Sequence, residues 1–158
     1  MKVSTKGRYA LRMMVDLAAF DGEEYISLRD VAERQGVSMK YMEQIVSQLT
    51  HAGLLYSVRG PQGGYRLAKR PQEYRVGDIL RATEGDLMLV SCLGAQPNPC
   101  PRAAACPTLP LWEGLQQHIL EYVDGITLQD LVNTGQEKRE ALQEEEGGAE
   151  DGQALASV

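Results

Sequence analysis

Residues 27–68 read SLRDVAERQGVSMKYMEQIVSQLTHAGLLYSVRGPQGGYRLA, and this run decides the fold. Ser27 is suited to cap a helix over Leu28 to Gln35, with Asp30 in the first turn, where the helix dipole favours negative charge. Gly36 supplies a left-handed stop. Ser38 caps the next helix, Met39 to about Ala52, whose inner side Tyr41, Met42, Ile45, Val46 and Leu49 form at helical spacing. Gly53 ends it. Leu54 to Val58 reads as a strand, Gly60-Pro61-Gln62-Gly63-Gly64 as a turn, and Tyr65 to Ala68 as the returning strand. Two helices joined by a short turn containing glycine, then a hairpin, predict a winged helix-turn-helix.

Upstream, Tyr9, Ala10, Met13, Met14, Leu17 and Ala18 predict an amphipathic helix over residues 5–20, capped by Ser4 or Thr5 and ended by Asp21-Gly22. Downstream, a helix is expected from Val76 to Ala82, ending near Glu84-Gly85, and then a loop from Ser91 to Pro107. A long helix starts near Thr108 with Leu111, Trp112, Leu115, Ile119, Tyr122, Val123 and Ile126 on one face. It breaks at Asp124-Gly125, and Thr127 caps a last short helix, Leu128 to Val132. A striped helix outside a compact core needs a place to bury its face, and a second subunit is the natural one. The expected class is mainly α: a winged helix-turn-helix with a β-hairpin wing and a long C-terminal dimerisation helix. Its parts are residues 1–83, a sensor loop 84–107, helices over 108–133, and an acidic tail 134–158 with little to bury, expected to be disordered.

Among 158 residues, 43% are hydrophobic, enough for one ordinary core plus an appendage. The net charge of −6 is unevenly shared. Through Arg81 there are 13 Lys/Arg and 9 Asp/Glu; from Ala82 onward there are 3 and 13. A mildly basic first half beside an acidic remainder suits a nucleic-acid module carrying a different second part. Neither a signal core nor an 18-residue apolar run is present, so a cytoplasmic protein off the membrane is expected.

The only three cysteines, Cys92, Cys100 and Cys106, fall within fifteen residues, with seven and then five residues between them. In a reducing compartment, clustered thiols point to metal, cluster or redox chemistry, and the odd count leaves one thiol unpaired by any disulfide. Soft thiolates suit iron–sulfur clusters, zinc or copper(I). A zinc site and a metal-free loop with reversible thiol oxidation are the competing readings. With no phosphate-binding glycine loop, no metal-ligand helix motif and both histidines remote from a nucleophile, an enzyme is not expected.

The chain resembles the bacterial winged-helix regulators typified by IscR, NsrR, RirA and CymR, over about residues 1–132. The resemblance is carried by Ser4-Thr5-Lys6-Gly7-Arg8-Tyr9-Ala10, by Tyr41-Met42-Glu43-Gln44-Ile45, by Val58-Arg59-Gly60-Pro61-Gln62-Gly63-Gly64-Tyr65-Arg66-Leu67, and by the cysteine loop followed by Leu111-Trp112. It implies a homodimer crossing through the long helix and a palindromic double-stranded operator. It also implies an iron–sulfur cluster, [2Fe-2S] or [4Fe-4S], held by Cys92, Cys100 and Cys106. The spacing is closer to the RirA-like loops, and the triad argues against the CymR-like branch. Two family ligands are replaced: Leu109 stands where IscR-like chains have histidine, and Arg8 where NsrR-like chains have a carboxylate. His118, His51, Asp16 and Asp86 are the remaining candidates. The alternative is a cluster-free or zinc-bearing regulator of cysteine or sulfur metabolism, controlled by thiol oxidation or a protein partner.

The DNA-facing set expected from the recognition helix is Ser38, Lys40, Tyr41, Glu43, Gln44 and Ser47, and from the wing Arg59, Gly60, Pro61, Gly63 and Gly64. Lys40 can neutralise phosphate, Gln44 can pair with adenine, and Glu43 can accept from cytosine N4. A carboxylate near phosphate is costly unless a base donor meets it, which makes Glu43 the candidate for discrimination. Arg59 suits a minor groove, where negative potential concentrates.

Overall fold

The computed structural model describes residues 3–20, 24–95 and 97–154, and for 146–154 the backbone alone. The predicted architecture is present. Helix α1 (Thr5–Ala18) is followed by α2 (Leu28–Gln35), α3 (Met39–His51), the antiparallel strands β1 (Leu55–Val58) and β2 (Gly64–Leu67), α4 (Val76–Glu84), α5 (Leu109–Gly125) and α6 (Leu128–Ala154). The expected stop for α1, Asp21-Gly22, lies outside the described residues.

The expected caps are in place. Ser4 Oγ accepts from the backbone of Lys6 and Gly7, Ser27 Oγ from Arg29, and Ser38 Oγ from Tyr41. Each satisfies an otherwise orphaned helix N–H. Gly36, with φ of 65°, closes α2 in the left-handed region. Thr127 and Asp130 form a reciprocal cap on α6: Thr127 N–H donates to Asp130 Oδ2 at 2.8 Å, and Asp130 N–H to Thr127 Oγ1 at 3.1 Å.

One apolar core joins α1, α2, α3 and the wing base through Met13, Met14, Val31, Met42, Ile45, Leu49 and Leu55, with Ile79 and Leu128 closing it. A smaller core of Val76, Leu80 and Leu87 takes Leu120 and Val123 of α5, Ile126 just after it and Leu131 of α6. The apolar stripe read on α5 therefore divides. Val123 and Ile126 turn inward, while Leu111, Leu115 and Tyr122 remain 62%, 44% and 71% exposed.

The C-terminal segment corrects the sequence reading. In place of a short helix to Val132 and a disordered tail, α6 continues to Ala154. Gln136-Glu137-Lys138-Arg139-Glu140-Ala141-Leu142-Gln143-Glu144-Glu145 is an unbroken run of strong helix formers, and local propensity carries the helix where no core does. Among the described residues no helix is long and apolar enough to cross a membrane.

Candidate DNA-reading surface and cysteine loop

Helix α3 has a clean division of faces. Met42, Ile45, Val46 and Leu49 are buried; Ser38, Lys40, Glu43, Gln44 and Ser47 are exposed, as read from the sequence. Tyr41 is placed differently from its neighbours. It is half-buried, edge-on to Tyr9 with ring centroids 5.9 Å apart, and so braces α3 against α1. Met39, not singled out from sequence, is an exposed apolar side chain at the start of the helix beside Lys40. Its only signal was its place immediately after the cap.

The wing tip is the five-residue loop between Val58 and Gly64, which are paired in the hairpin register. Arg59, Gly60 and Pro61 are exposed. Gly60 has φ of 118° and open space around it, a backbone that other residues rarely adopt. Gly64 is buried instead: Tyr65 and Ile26 exchange backbone hydrogen bonds of 2.9 Å, and a Cβ at Gly64 would strike the Ile26 carbonyl. It lets the segment before α2 lie against the wing, so its part is to position the hairpin.

Tyr74 is a site residue that sequence reasoning missed. Its ring is 1% exposed, its hydroxyl donates to the Leu54 carbonyl at 2.8 Å, and it accepts from Lys69 N–H at 2.8 Å. One phenol thus ties together the two ends of the hairpin. Burial pushes its pKa up, so it remains a neutral phenol.

The cysteine loop follows α4 directly. Cys92 lies in a 3-10 turn, Ser91–Leu93; Cys106 follows another, Ala103–Ala105; Cys100 stands between them. All three are free thiols of intermediate exposure. Asn98 Oδ1 accepts from Cys100 N–H at 2.9 Å, fixing that bend. Cys106 Sγ is 3.4 Å from Thr108 Oγ1, and hydrogen bonds from Thr108 hold its pKa below the ordinary thiol value.

The sequence reading gathers the three thiols around one object. Among the described residues, however, no three His, Cys, Asp or Glu side chains form a group able to hold a metal. Pro97, Pro99 and Pro101 restrict the stretch between the two short turns. Cys92 lines a cleft of about 360 Å³ with Leu93, Asn98, Leu109, Glu113 and Gln116. Leu109 thus faces the same space as Cys92, and Glu113, one turn later, is a carboxylate that the spacing argument passed over.

The other fourth-ligand candidates are placed elsewhere. Asp16 is held by Arg34, with Gln35 Nε2 donating at 2.8 Å. His118 is exposed on α5, its Nδ1 2.7 Å from the Gly114 carbonyl. Asp86 and His51 are exposed, as is Arg8 on α1.

Three polar anchors tie the DNA reader, the cysteine loop and α5 together. At the end of α4, Glu84 accepts from Ser4 Oγ, from Ser4 N–H at 3.3 Å and from Gly7 N–H at 2.8 Å. The Arg81 guanidinium donates to both oxygens of Asp124 at 2.8 and 2.6 Å, holding the end of α5 to α4 and keeping the Asp124 carboxyl below the usual carboxylate range. Gln116 of α5 grips the segment leading to Cys92, donating to the Leu87 carbonyl at 2.7 Å and accepting from Leu89 N–H at 2.8 Å.

Residues 3–134 match the family described as Rrf2, iron-dependent transcriptional regulator. The HTH-type transcriptional regulator IscR of Aliivibrio salmonicida is 42% identical over 132 residues, covering 84% of this chain and 77% of that protein. Among solved structures, T. potens IscR aligns with a TM-score of 0.68 at 42% identity, over 87% of this chain and 90% of that one. CymR, the global cysteine regulator of B. subtilis, aligns with a TM-score of 0.69 at 37% identity, over 85% and 98%.

Proposed function

The chain belongs to the Rrf2 family of transcriptional regulators, and from that premise we propose that it is a homodimeric DNA-binding regulator that senses iron–sulfur, iron or redox status through Cys92, Cys100 and Cys106. The observation that carries the sensing half is the placement of all three free, partly accessible thiols in the one loop that joins α4 to α5. The donor set fits the cofactor by its chemistry: three thiolates in one short loop are the ligand type that iron–sulfur clusters take. A bound cluster supplies redox- and oxygen-sensitive bonding to those sulfurs. The chain's own residues then do the rest. Cys92, Cys100 and Cys106 would hold it, and Leu109 keeps that side of the cleft beside Cys92 apolar.

Two recognition helices would present Lys40, Glu43, Gln44 and Ser47 to a palindromic operator, with Arg59, Gly60 and Pro61 at its flanks. Lys40 and Arg59 supply phosphate and minor-groove charge, and Glu43 and Gln44 the base donors and acceptors. The second copy is favoured by the exposed Leu111, Leu115 and Tyr122 on α5, an apolar face of a kind subunits bury.

A second reading has its own observation: among the described residues the three thiols do not form a metal-holding group, and hydrogen bonds from Thr108 lower the Cys106 pKa. It makes the loop a thiol switch or a partner-docking element of sulfur metabolism. Anaerobic purification, with the absorption spectrum beside iron, sulfide and zinc per chain, separates the two. A brown protein with matched iron and sulfide, lost in Cys92→Ala, is expected. A colourless protein that takes up no iron after reconstitution overturns the cluster reading and leaves the thiol one.

A further inference from the structure

We propose that Gln116 is a positioning residue that couples the cysteine loop to α5 and, through α5, to the DNA reader. The proposal rests on the chain being a regulator that signals through this loop, but not on which chemistry the thiols perform.

Gln116 is the buried residue of α5, 7% exposed, on a helix whose other polar side chains face solvent or its surface. Burying an amide is unfavourable unless both its donor and its acceptor are satisfied. Here both are, and by one segment: Nε2 donates to the Leu87 carbonyl and Oε1 accepts from Leu89 N–H. The single amide bridges a carbonyl and an N–H two residues apart and so fixes the backbone of residues 87–89 to α5. Only an amide side chain offers one acceptor and one donor in that geometry. Leu87 is itself packed into the smaller core against Val76 and Leu80 of α4. The grip therefore joins α4, the entrance to the loop, and α5 at one point.

Cys92 follows Leu89 by three residues and lines the same cleft as Gln116. Any displacement of Cys92, whether by ligation or by oxidation, passes along Val90 and Ser91 to a backbone that Gln116 holds. The second fixed point on α5 is Asp124, paired with Arg81. Eight residues separate the two, about 12 Å along the axis. The helix is thus pivoted on the DNA reader at one end and held by the sensor segment two turns away. Movement at Gln116 tilts α5 and the exposed Leu111, Leu115 and Tyr122 with it.

Coupling is reciprocal, and this supplies a test that needs no cofactor. If Cys92 acts on DNA binding through Gln116, DNA binding must change the state of Cys92 through Gln116. The alkylation rate of Cys92 is measured in the full-length, metal-free protein, alone and saturated with a duplex that the wild-type protein has selected from a random pool. In the wild type the duplex is expected to change the rate by about fivefold or more, within the usual range of allosteric coupling. Gln116→Leu keeps the bulk and removes both hydrogen bonds; it is expected to bind the same duplex while the effect on Cys92 disappears. Gln116→Glu, which replaces the donor to Leu87 by a charged carboxylate oxygen while keeping an acceptor for Leu89 N–H, is the second variant should the leucine chain not fold, and is expected to weaken the effect.

A merely structural role lowers the melting temperature and leaves the duplex effect intact. That result in either variant overturns the proposal, as does a wild-type Cys92 indifferent to DNA. Failure of the iron and sulfide measurement sinks the cluster reading without touching this outcome.

Discussion

Glu84 and Gly7 provide a test in which one substitution should reverse its sign. Gly7 lies in the first turn of α1, buried, and a Cβ there would collide with Glu84 Oε1. The Glu84 carboxylate must therefore leave if Gly7 becomes alanine, and it takes with it the hydrogen bonds to Ser4 Oγ, Ser4 N–H and Gly7 N–H. Hydrogen bonds to a charged group contribute roughly 1.5–3 kcal/mol each when well buried. This carboxylate is only half-buried, so water replaces part of the loss. A carboxylate at a helix N-terminus adds about 0.5 kcal/mol. The whole arrangement is worth about 2 kcal/mol by these measures. Against it, alanine is favoured over glycine in a helix by up to about 1 kcal/mol.

Gly7→Ala alone should then destabilise by about 1 kcal/mol, and Glu84→Ala by about 2 kcal/mol. In the Glu84→Ala background the obstacle is gone, and Gly7→Ala should stabilise by about 0.5–1 kcal/mol. At this chain length 1 kcal/mol is about 3 °C. The double variant should melt a few degrees above Glu84→Ala, although Gly7→Ala lowers the wild type. Denaturant titration of the four proteins measures the cycle. If Gly7→Ala acts in the same direction in both backgrounds, the carboxylate is not what Gly7 makes room for.

Arg59→Ala should weaken duplex binding and flatten its salt dependence by about one unit of log–log slope, measured by fluorescence anisotropy across a salt series. Tyr74→Phe strands the Lys69 N–H and leaves the Leu54 carbonyl only its bond from Ala68 N–H, and should cost about 1–3 kcal/mol on chemical denaturation. Thr108→Ala removes the side-chain hydrogen bond, the largest of those that lower the Cys106 pKa, so the pH midpoint for alkylating Cys106 should move upward. Asp124 is held below its ordinary pKa by Arg81, so its contribution is present above the unfolded carboxylate pKa and lost as pH falls through the folded one. Asp124→Asn should therefore melt below the wild type at neutral pH, with the gap closing in acid.

The parts legible in the sequence are those written as repeats or punctuation. Ser4, Ser27 and Ser38 announced their helices because a capping hydroxyl must precede the first turn, and Met42, Ile45, Val46 and Leu49 marked a face because helices repeat. Tyr74, Gln116 and Glu84 have no such signature. Each makes its bonds to residues distant in the chain, 20 for Tyr74 to Leu54, 27 for Gln116 to Leu89 and 80 for Glu84 to Ser4. Only the packed chain brings those partners together. The α5 stripe was visible, but the direction of each apolar residue was not: Val123 and Ile126 face α4, while Leu111, Leu115 and Tyr122 face outward. The tail went the other way. Lack of anything to bury predicted disorder, whereas the run of strong helix formers over 136–145 carries α6 past Val132.

The arrangement of the anchors bears on how such a chain can respond to a thiol. The main core joins α1, α2, α3 and the wing base into one packed unit, and packed units resist small displacements. Among the described residues, 91–107 contribute nothing to either apolar core, and short 3-10 turns and prolines make up much of that stretch. A chemical event there reaches the reader only through groups that touch both. Glu84 fixes the start of α1 at the near end of the loop, and Arg81–Asp124 fixes the far end of α5. Gln116, on α5, grips the segment that enters the loop at Cys92. Loosening Glu84 or Asp124 should therefore weaken both states of the protein together. Loosening Gln116 should bring the two states toward each other, and that difference separates a coupling residue from a brace.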